Sequence, residues 1–167
     1  MAVRHINRTL LIAGAVLLSA AVPTGAQAVP EQAAAPVRTC AESQWTYPNP
    51  AFEIRTELCL SEQLGRLTPI LVTECKYHDD WGNWPRAECD AKDLKWRLTA
   101  PDKTTKYSGS MEDKRAYFFD SVSSTDVPCS TGTWKFEMSS THVAGNDSPN
   151  RTADTSQTKE ISVARCS

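Results

Sequence analysis

Ten residues, Phe52-Glu-Ile-Arg-Thr-Glu-Leu-Cys-Leu-Ser61, establish the fold class of this 167-residue chain. Apolar and polar residues alternate along them with a period of two, which is typical of a β-strand that buries one face. The same alternation recurs in Thr131-Gly-Thr-Trp-Lys-Phe-Glu-Met-Ser-Ser-Thr-His-Val143. Trp134, in that stretch, and Trp96, in an earlier alternating segment, are therefore predicted to lie in the core.

Further short strands are predicted along the rest of the chain, at 67–77, 94–98, 116–119 and 155–163. Residues typical of turns separate these strands. Short helices at 62–67 and 111–117 are the alternatives, although a lone turn of helix is marginal without packing. Many short strands with turns between them predict an all-β sandwich rather than alternating βαβ units.

The N-terminus has the features of a secretory signal peptide. A short basic region precedes an uncharged apolar run over 10–22, and small residues precede a cleavage site after Ala28. The apolar run is too short to span a bilayer, which takes about 20 residues. We therefore predict a signal peptide over 1–28, a flexible leader over 29–39 and one secreted domain over 40–167, with no membrane anchor after cleavage.

The net charge gives no reason to expect a polyanionic partner. The chain has 18 Lys and Arg against 20 Asp and Glu, and loss of Arg4 and Arg8 with the signal peptide changes the net charge from −2 to −4. A mildly acidic, mixed surface predicts a soluble protein that electrostatics does not draw to nucleic acid or anionic lipid. Nucleic-acid binding is therefore not expected.

The cysteines predict a disulfide framework. An even number of cysteines behind a signal peptide indicates disulfides in an oxidising compartment. No metal or cofactor is predicted, because the sequence contains no C-x-x-C and the histidines His78 and His142 lie far apart. The six cysteines are Cys40, Cys59, Cys75, Cys89, Cys129 and Cys166.

Hairpin symmetry narrows the 15 pairings that six cysteines allow. Gly82-Asn83, flanked by aromatic residues, is a two-residue hairpin signal, and folding the chain there favours a Cys75–Cys89 bridge. The turn-rich loop 144–153 lies midway between two cysteines, which favours a Cys129–Cys166 bridge. The remaining pair, Cys40–Cys59, follows by elimination.

One segment resembles part of a known fold. Gly132-Thr-Trp-Lys-Phe-Glu-Met138, followed by a polar loop and a closing strand, resembles the last hairpin of immunoglobulin-like sandwiches. An Ala-rich leader followed by a Cys-rich β domain also resembles small secreted actinobacterial proteins. The resemblance implies an antiparallel immunoglobulin-like β-sandwich stapled by three disulfides, and it carries over no functional residue. The chain departs from antibody domains because its cysteines and tryptophans lack their spacing.

No residue pattern indicates catalysis, and no enzyme activity is predicted. His78, Asp79 and Asp80 could join a serine in a Ser-His-Asp set, but no Gly-x-Ser-x-Gly occurs, and these residues suit the cap of a solvated hairpin end. Side-chain oxygens that could bind calcium occur at Asp79, Asp80, Asn83 and Asp90. Their order in the sequence does not match the 12-residue loop of a specific calcium site. Carboxylates that could pair for glycoside hydrolysis occur at Glu53, Glu57, Glu74 and Glu88. Glu53 and Glu57 are predicted to share the polar face of one strand.

Aromatic residues in or near connections carry the functional prediction. These residues are Trp45, Tyr47, Tyr77, Trp81 and Trp84. Exposed rings can stack on sugars or anchor a protein partner, because they bury a large area at low entropy cost. The candidate binding residues are Tyr77, His78, Trp81 and Trp84. The alternative for Trp81 and Trp84 is a cross-strand pair that packs over its own hairpin.

These observations predict a secreted, non-catalytic domain that binds an extracellular protein or a cell-surface glycan. The alternative function is a small secreted inhibitor of an extracellular enzyme. Such an inhibitor would present residues 81–84 or 144–153 as a rigid, disulfide-braced loop, since a pre-organised loop loses less entropy on binding.

Overall fold

Two six-stranded antiparallel sheets make up the described part of the chain. The computed structural model describes residues 35–78, 81–83, 85–144 and 152–167. These residues contain no helix, and therefore none that could cross a membrane. Their strands are β1 (Val37–Cys40), β2 (Gln44–Asn49), β3 (Phe52–Gln63), β4 (Arg66–Tyr77), β5 (Cys89–Thr99), β6 (Lys106–Ser110), β7 (Lys114–Ala116), β8 (Phe118–Val122), β9 (Val127–Pro128), β10 (Gly132–Ala144), β11 (Thr152–Asp154) and β12 (Gln157–Val163).

Two long strands form the centre of each sheet. In the first sheet β3 pairs with β4, β1 and β2 both pair with β3, and β8 and β9 both pair with β4. In the second sheet β5 pairs with β10, β6 and β7 both pair with β5, and β11 and β12 both pair with β10. Each sheet is therefore four strands wide, because two short strands together complete each edge.

The inward faces of the two sheets share one hydrophobic core. Leu58 and Leu71 of the first sheet are fully buried, as is Phe136 of the second. Trp96 and Trp134, both predicted to be core residues, are 2% and 1% exposed. Burying a large apolar side chain stabilises the fold by about 1.5–3 kcal/mol. The packing of two inward faces against each other makes the fold sandwich-like, as the alternation predicts.

Neither predicted helix is present. Residues 62–67 hold the end of β3, a two-residue turn and the start of β4. Leu64 and Gly65 in that turn have positive φ angles of 52° and 70°. Two successive left-handed residues suit a tight hairpin and are incompatible with a right-handed helix. Residues 111–117 include β7, which pairs with β5 at the edge of the second sheet.

The strand predicted at 116–119 is divided between the two sheets. β7 ends at Ala116 and pairs with β5, whereas β8 begins at Phe118 and pairs with β4. Tyr117 is the residue at which the chain crosses from one sheet to the other. A period-two pattern cannot reveal such a crossing, because the residues on both sides of it are extended.

The hairpin predicted around Gly82-Asn83 forms over only a few residues. The backbone N–H of Tyr77 donates to the Pro85 carbonyl (3.0 Å), and the N–H of Ala87 donates to the Cys75 carbonyl (2.9 Å). Beyond this contact the chain leaves the first sheet and enters β5 of the second. The strands before and after the turn are therefore not a hairpin pair, contrary to the prediction.

The three disulfides join the same cysteine pairs that the sequence predicts. Cys40–Cys59 ties β1 to β3, and Cys129–Cys166 closes the open end of the β10–β12 hairpin. Cys75–Cys89 has a different role from the one predicted, because it links β4 of the first sheet to β5 of the second. Three disulfides indicate an oxidising environment outside the cytosol.

The folded part of the chain begins earlier than predicted. β1 starts at Val37, which pairs with Glu62 of β3. The last residues of the segment 29–39, predicted as a leader, therefore belong to the first sheet. The predicted signal peptide lies outside the described residues.

Candidate binding surface

The described members of the predicted binding set lie where the first sheet ends. Tyr77 is the last residue of β4 and is 43% exposed. The backbone N–H of His78, which is also exposed, donates to the Ala51 carbonyl (2.7 Å). Trp81 is 89% exposed. Trp84 lies outside the described residues, so the predicted cross-strand pairing of Trp81 with Trp84 stays a prediction.

Tyr77 and Trp81 belong to a larger group, which we call the aromatic surface. It consists of the aromatic side chains that are 41–89% exposed in the described chain, namely Trp45, Tyr47, Tyr77, Trp81, Tyr117 and Phe118. All six lie at the end of the first sheet where β3 begins and β4 ends. At the β8 edge, Phe118 pairs with Glu74, and the N–H of Cys75 donates to the Tyr117 carbonyl (3.0 Å).

Two cations hold Trp45 of the aromatic surface against the sheet. The Cζ atom of Arg55 lies 5.8 Å from the centroid of the Trp45 ring, and the Nζ atom of Lys76 lies 5.3 Å from it. Both distances are within the range of a cation–π attraction. Arg55 belongs to β3 and Lys76 to β4, so the indole of this β2 residue lies over the outward face of these two strands.

Carboxylates hold the same two cations in place. Arg55 pairs with Glu74 at 2.9 Å, and Lys76 lies 3.6 Å from Glu74 and 3.7 Å from Glu53. The group contains two cations and two carboxylates, so its formal charge is balanced. A partner of this surface therefore does not need a net charge of its own.

The carboxylates considered for glycoside hydrolysis have structural partners. Glu53 and Glu57 share the outward face of β3, as predicted, and Glu74 lies on the same face of β4. Glu53 and Glu74 form the ion pairs around Trp45, and Glu88 forms an ion pair with Arg115 at 3.2 Å. The described residues thus explain three of these four carboxylates as ion-pair partners.

The other two predicted sets depend on residues outside the described chain. The Ser-His-Asp set and the calcium set both need Asp79 and Asp80. Asp90, the remaining acid of the calcium set, lies 3.6 Å from Lys92 and 3.5 Å from Arg115.

A buried polar cluster at His142 lies between the sheets and was not predicted. The Nε2 atom of His142 lies 3.2 Å from the Thr73 hydroxyl, and its Nδ1 atom lies 2.7 Å from the Thr155 hydroxyl. The Ser140 hydroxyl lies 2.7 Å from that of Thr155. Desolvation lowers the pKa of His142 from 6.5 to about 4. The residue is fully buried, so this neutral imidazole joins the sheets instead of meeting a substrate.

The sequence contained a signal for this cluster. Trp134, Phe136 and Met138 mark the even positions of β10 as inward-facing, and continuing the count places Ser140 and His142 on the same face.

The fold and the surface together define a class of protein, a disulfide-stapled two-sheet β domain with an exposed aromatic surface. No protein-family model matches the sequence, and comparison with curated proteins gives no significant match.

Proposed function

We propose that this chain is a secreted, non-catalytic binding domain that contacts an extracellular protein or a cell-surface glycan through the aromatic surface. The observation that carries the proposal is that the six aromatic side chains that are 41–89% exposed in the described chain all lie toward one end of the first sheet. Exposed apolar residues scattered singly are ordinary, whereas a group of them in one region of the surface is typical of an interaction site.

The chemistry of the surface supports this function. Tryptophan, tyrosine and arginine are the residues most enriched among those that dominate binding energies. Trp45 and Arg55 are already held by their neighbours, so they lose less conformational entropy when a partner binds. The balanced ion pairs beside Trp45 offer hydrogen-bonding groups to a sugar or to a peptide.

Secretion is part of the proposal. The basic, apolar and small-residue regions of 1–28 are the support for a signal peptide. The three disulfides agree with an oxidising destination. The resemblance to small secreted actinobacterial proteins belongs to the same proposal.

The finer fold assignment is an immunoglobulin-like sandwich. Its support is the connectivity, because β4 neighbours β8 rather than β5, and β5 neighbours β10 rather than β4. Consecutive strands that change sheets in this way are typical of Greek-key sandwiches. The disulfide between the sheets departs from the antibody pattern, since it joins consecutive strands of the chain.

A retention assay tests the proposed function. The mature protein is applied to a panel of immobilised cellulose, chitin and peptidoglycan, and to an array of purified cell-surface proteins. We expect retention on at least one of them. Trp45→Ala combined with Trp81→Ala should abolish that retention and lower Tm only modestly, because Trp81 is 89% exposed and Trp45 loses only its contacts with two surface cations.

A matched variant controls for loss of exposed apolar area. Val37 and Leu64 are 38% and 69% exposed and lie at the opposite end of the first sheet. Val37→Ala combined with Leu64→Ala should keep full retention. Retention that survives the tryptophan changes, or a wild-type protein that binds nothing on the panel, would contradict the proposal.

One observation favours the inhibitor as a second candidate. The Cys75–Cys89 disulfide closes the base of the segment that carries the exposed Trp81. A loop braced in this way is pre-organised for an enzyme cleft. Inhibition of at least one enzyme in a panel of extracellular proteases, lost in Trp81→Ala, would support this candidate.

A further inference from the structure

The second sheet carries an open groove on its outward face. The groove has a volume of about 730 Å³, and its outward-facing lining includes Lys95, Arg97, Ser108, Glu137, Ser139 and Thr158. A second depression of about 550 Å³ adjoins it along β5 and β10. We call the two together the polar groove. It lies on the opposite side of the molecule from the outward face of the first sheet.

The strand register arranges these side chains in rows. Arg97 of β5 pairs with Ser108 of β6 and with Glu137 of β10. Glu137 in turn pairs with Thr158 of β12. Lys95 lies two residues from Arg97 on the same strand, so the two cations are about 7 Å apart along the groove.

The position of the Trp96 side chain beneath the groove depends on Gly109 of β6. A Cβ atom at that position would lie 2.7 Å from Cζ2 of the buried Trp96 side chain. Both residues line the groove, and Trp96 points into the core beneath it. The first depression of the groove therefore lies over a packed part of the sheet.

The polar groove is more basic than the chain as a whole. The cations that line it outnumber the two carboxylates that line it, Glu137 and Glu160, and they are Lys95, Arg97, Lys103 and Lys135. Lys135 lies 3.0 Å from Glu137 and neutralises it. The whole chain has a net charge of −2. The excess of positive charge is thus local to this face.

The groups between the cations favour a sugar polymer. Ser108, Ser139 and Thr158 offer hydroxyls that can exchange hydrogen bonds with sugar hydroxyls. None of the six exposed aromatic side chains of the described chain lies in the groove. The groove therefore lacks the stacking platforms that usually hold single-stranded nucleic acids, and recognition there depends on charge and on hydroxyl contacts.

We propose that the polar groove binds an acidic polysaccharide, with Lys95 and Arg97 contacting its anionic groups and the hydroxyls contacting its sugar rings. The proposal is independent of the aromatic surface, because the two lie on different sheets. It gives the domain a second binding face, directed at a charged polymer.

Titration with sodium polygalacturonate tests the proposal. We expect the wild-type protein to bind at about 50 mM salt and to bind less tightly at about 200 mM, because binding releases counterions from the polymer. Lys95→Gln combined with Arg97→Gln should lower the affinity at low salt about tenfold and flatten the salt dependence. Both side chains are exposed, so the variant should fold normally.

A charge-matched variant separates the groove from net charge. Arg86→Gln combined with Arg165→Gln also removes two exposed cations, at sites outside the groove, and should leave the affinity unchanged. Dextran, a neutral polymer, should not bind. The proposal is overturned if the groove variant binds like the wild type or if the control loses as much affinity. It is also overturned if a single-stranded oligonucleotide binds where polygalacturonate does not.

Discussion

At the scale of single residues, the clearest feature is a histidine whose pKa is lowered by its buried surroundings. His142 is fully buried, and its ring nitrogens face the hydroxyls of Thr73 and Thr155. Charging the imidazole there would place a cation among neutral groups without solvent, which is why its pKa lies near 4. The residue contributes to stability only while it stays neutral.

We expect acid to destabilise the protein through His142. In the unfolded chain the imidazole takes up a proton below its ordinary pKa of 6.5, whereas in the folded chain it does so only near pH 4. The stability that depends on neutral His142 is therefore complete above pH 6.5 and is lost as the pH falls to about 4. The shift corresponds to about 3 kcal/mol.

Denaturant unfolding between pH 7 and pH 4 measures this loss in the wild type and in His142→Gln. The difference in free energy of unfolding between the two should shrink as the pH falls. His78→Gln, at an exposed histidine, is the control and should follow the wild type. A difference that stays constant across the range would mean that His142 does not titrate as its burial requires.

At the scale of elements, the important units are the connections between sheets. The chain changes sheets between β4 and β5, at Tyr117 between β7 and β8, and between β9 and β10. The Cys75–Cys89 disulfide crosses at the first of these points, and both its cysteines are buried in the shared core. Cys40–Cys59 instead holds an edge strand to its neighbour within one sheet.

The two disulfides should therefore affect different parts of the molecule. Removing either one costs about 3 kcal/mol in the chain-entropy model, because the closed loops are of similar length. Cys75→Ala combined with Cys89→Ala should raise amide hydrogen exchange across both sheets. Cys40→Ala combined with Cys59→Ala should raise it mainly in β1. Faster exchange confined to one strand in the first variant would show that the sheets do not need this bridge.

At the scale of the whole molecule, the two sheets present faces of different chemistry. The first carries exposed rings and balanced ion pairs, and the second carries a groove with excess positive charge. The net charge of the chain conceals this division, because it sums over both faces. The expectation that electrostatics draws the protein to no nucleic acid or anionic lipid was based on that net charge. The second sheet nevertheless concentrates cations on one face.

Binding at the two faces should be energetically independent. Trp45→Ala combined with Trp81→Ala should leave affinity for polygalacturonate unchanged, and Lys95→Gln combined with Arg97→Gln should leave retention on the panel unchanged. Changes at distant sites without shared partners add within about 0.5 kcal/mol. Titrating polygalacturonate into a protein already bound to its panel ligand measures any coupling. Competition between the two ligands would show that they share one site.

Much of the local structure could be predicted from the sequence. The alternation in β3, β5 and β10 identified long strands and the buried tryptophans, because strand periodicity depends on neighbouring residues. Two of the disulfide pairs followed from cysteines placed symmetrically about turns, and the third followed by elimination. The candidate site was found only in part, since Tyr77 and Trp81 lie beside a visible turn signal.

Only the folded molecule reveals the features that depend on pairing between distant segments. Phe118 joins the aromatic surface because β8 pairs with β4, and Trp45 joins it because Arg55 and Lys76 from two other strands hold its ring. The sheet that each strand joins is likewise decided only in the folded molecule. There the apolar face of every strand has to pack into the core that the two sheets share. A period of two shows that a strand has a buried face, but the partner of that face is chosen by packing across the whole chain.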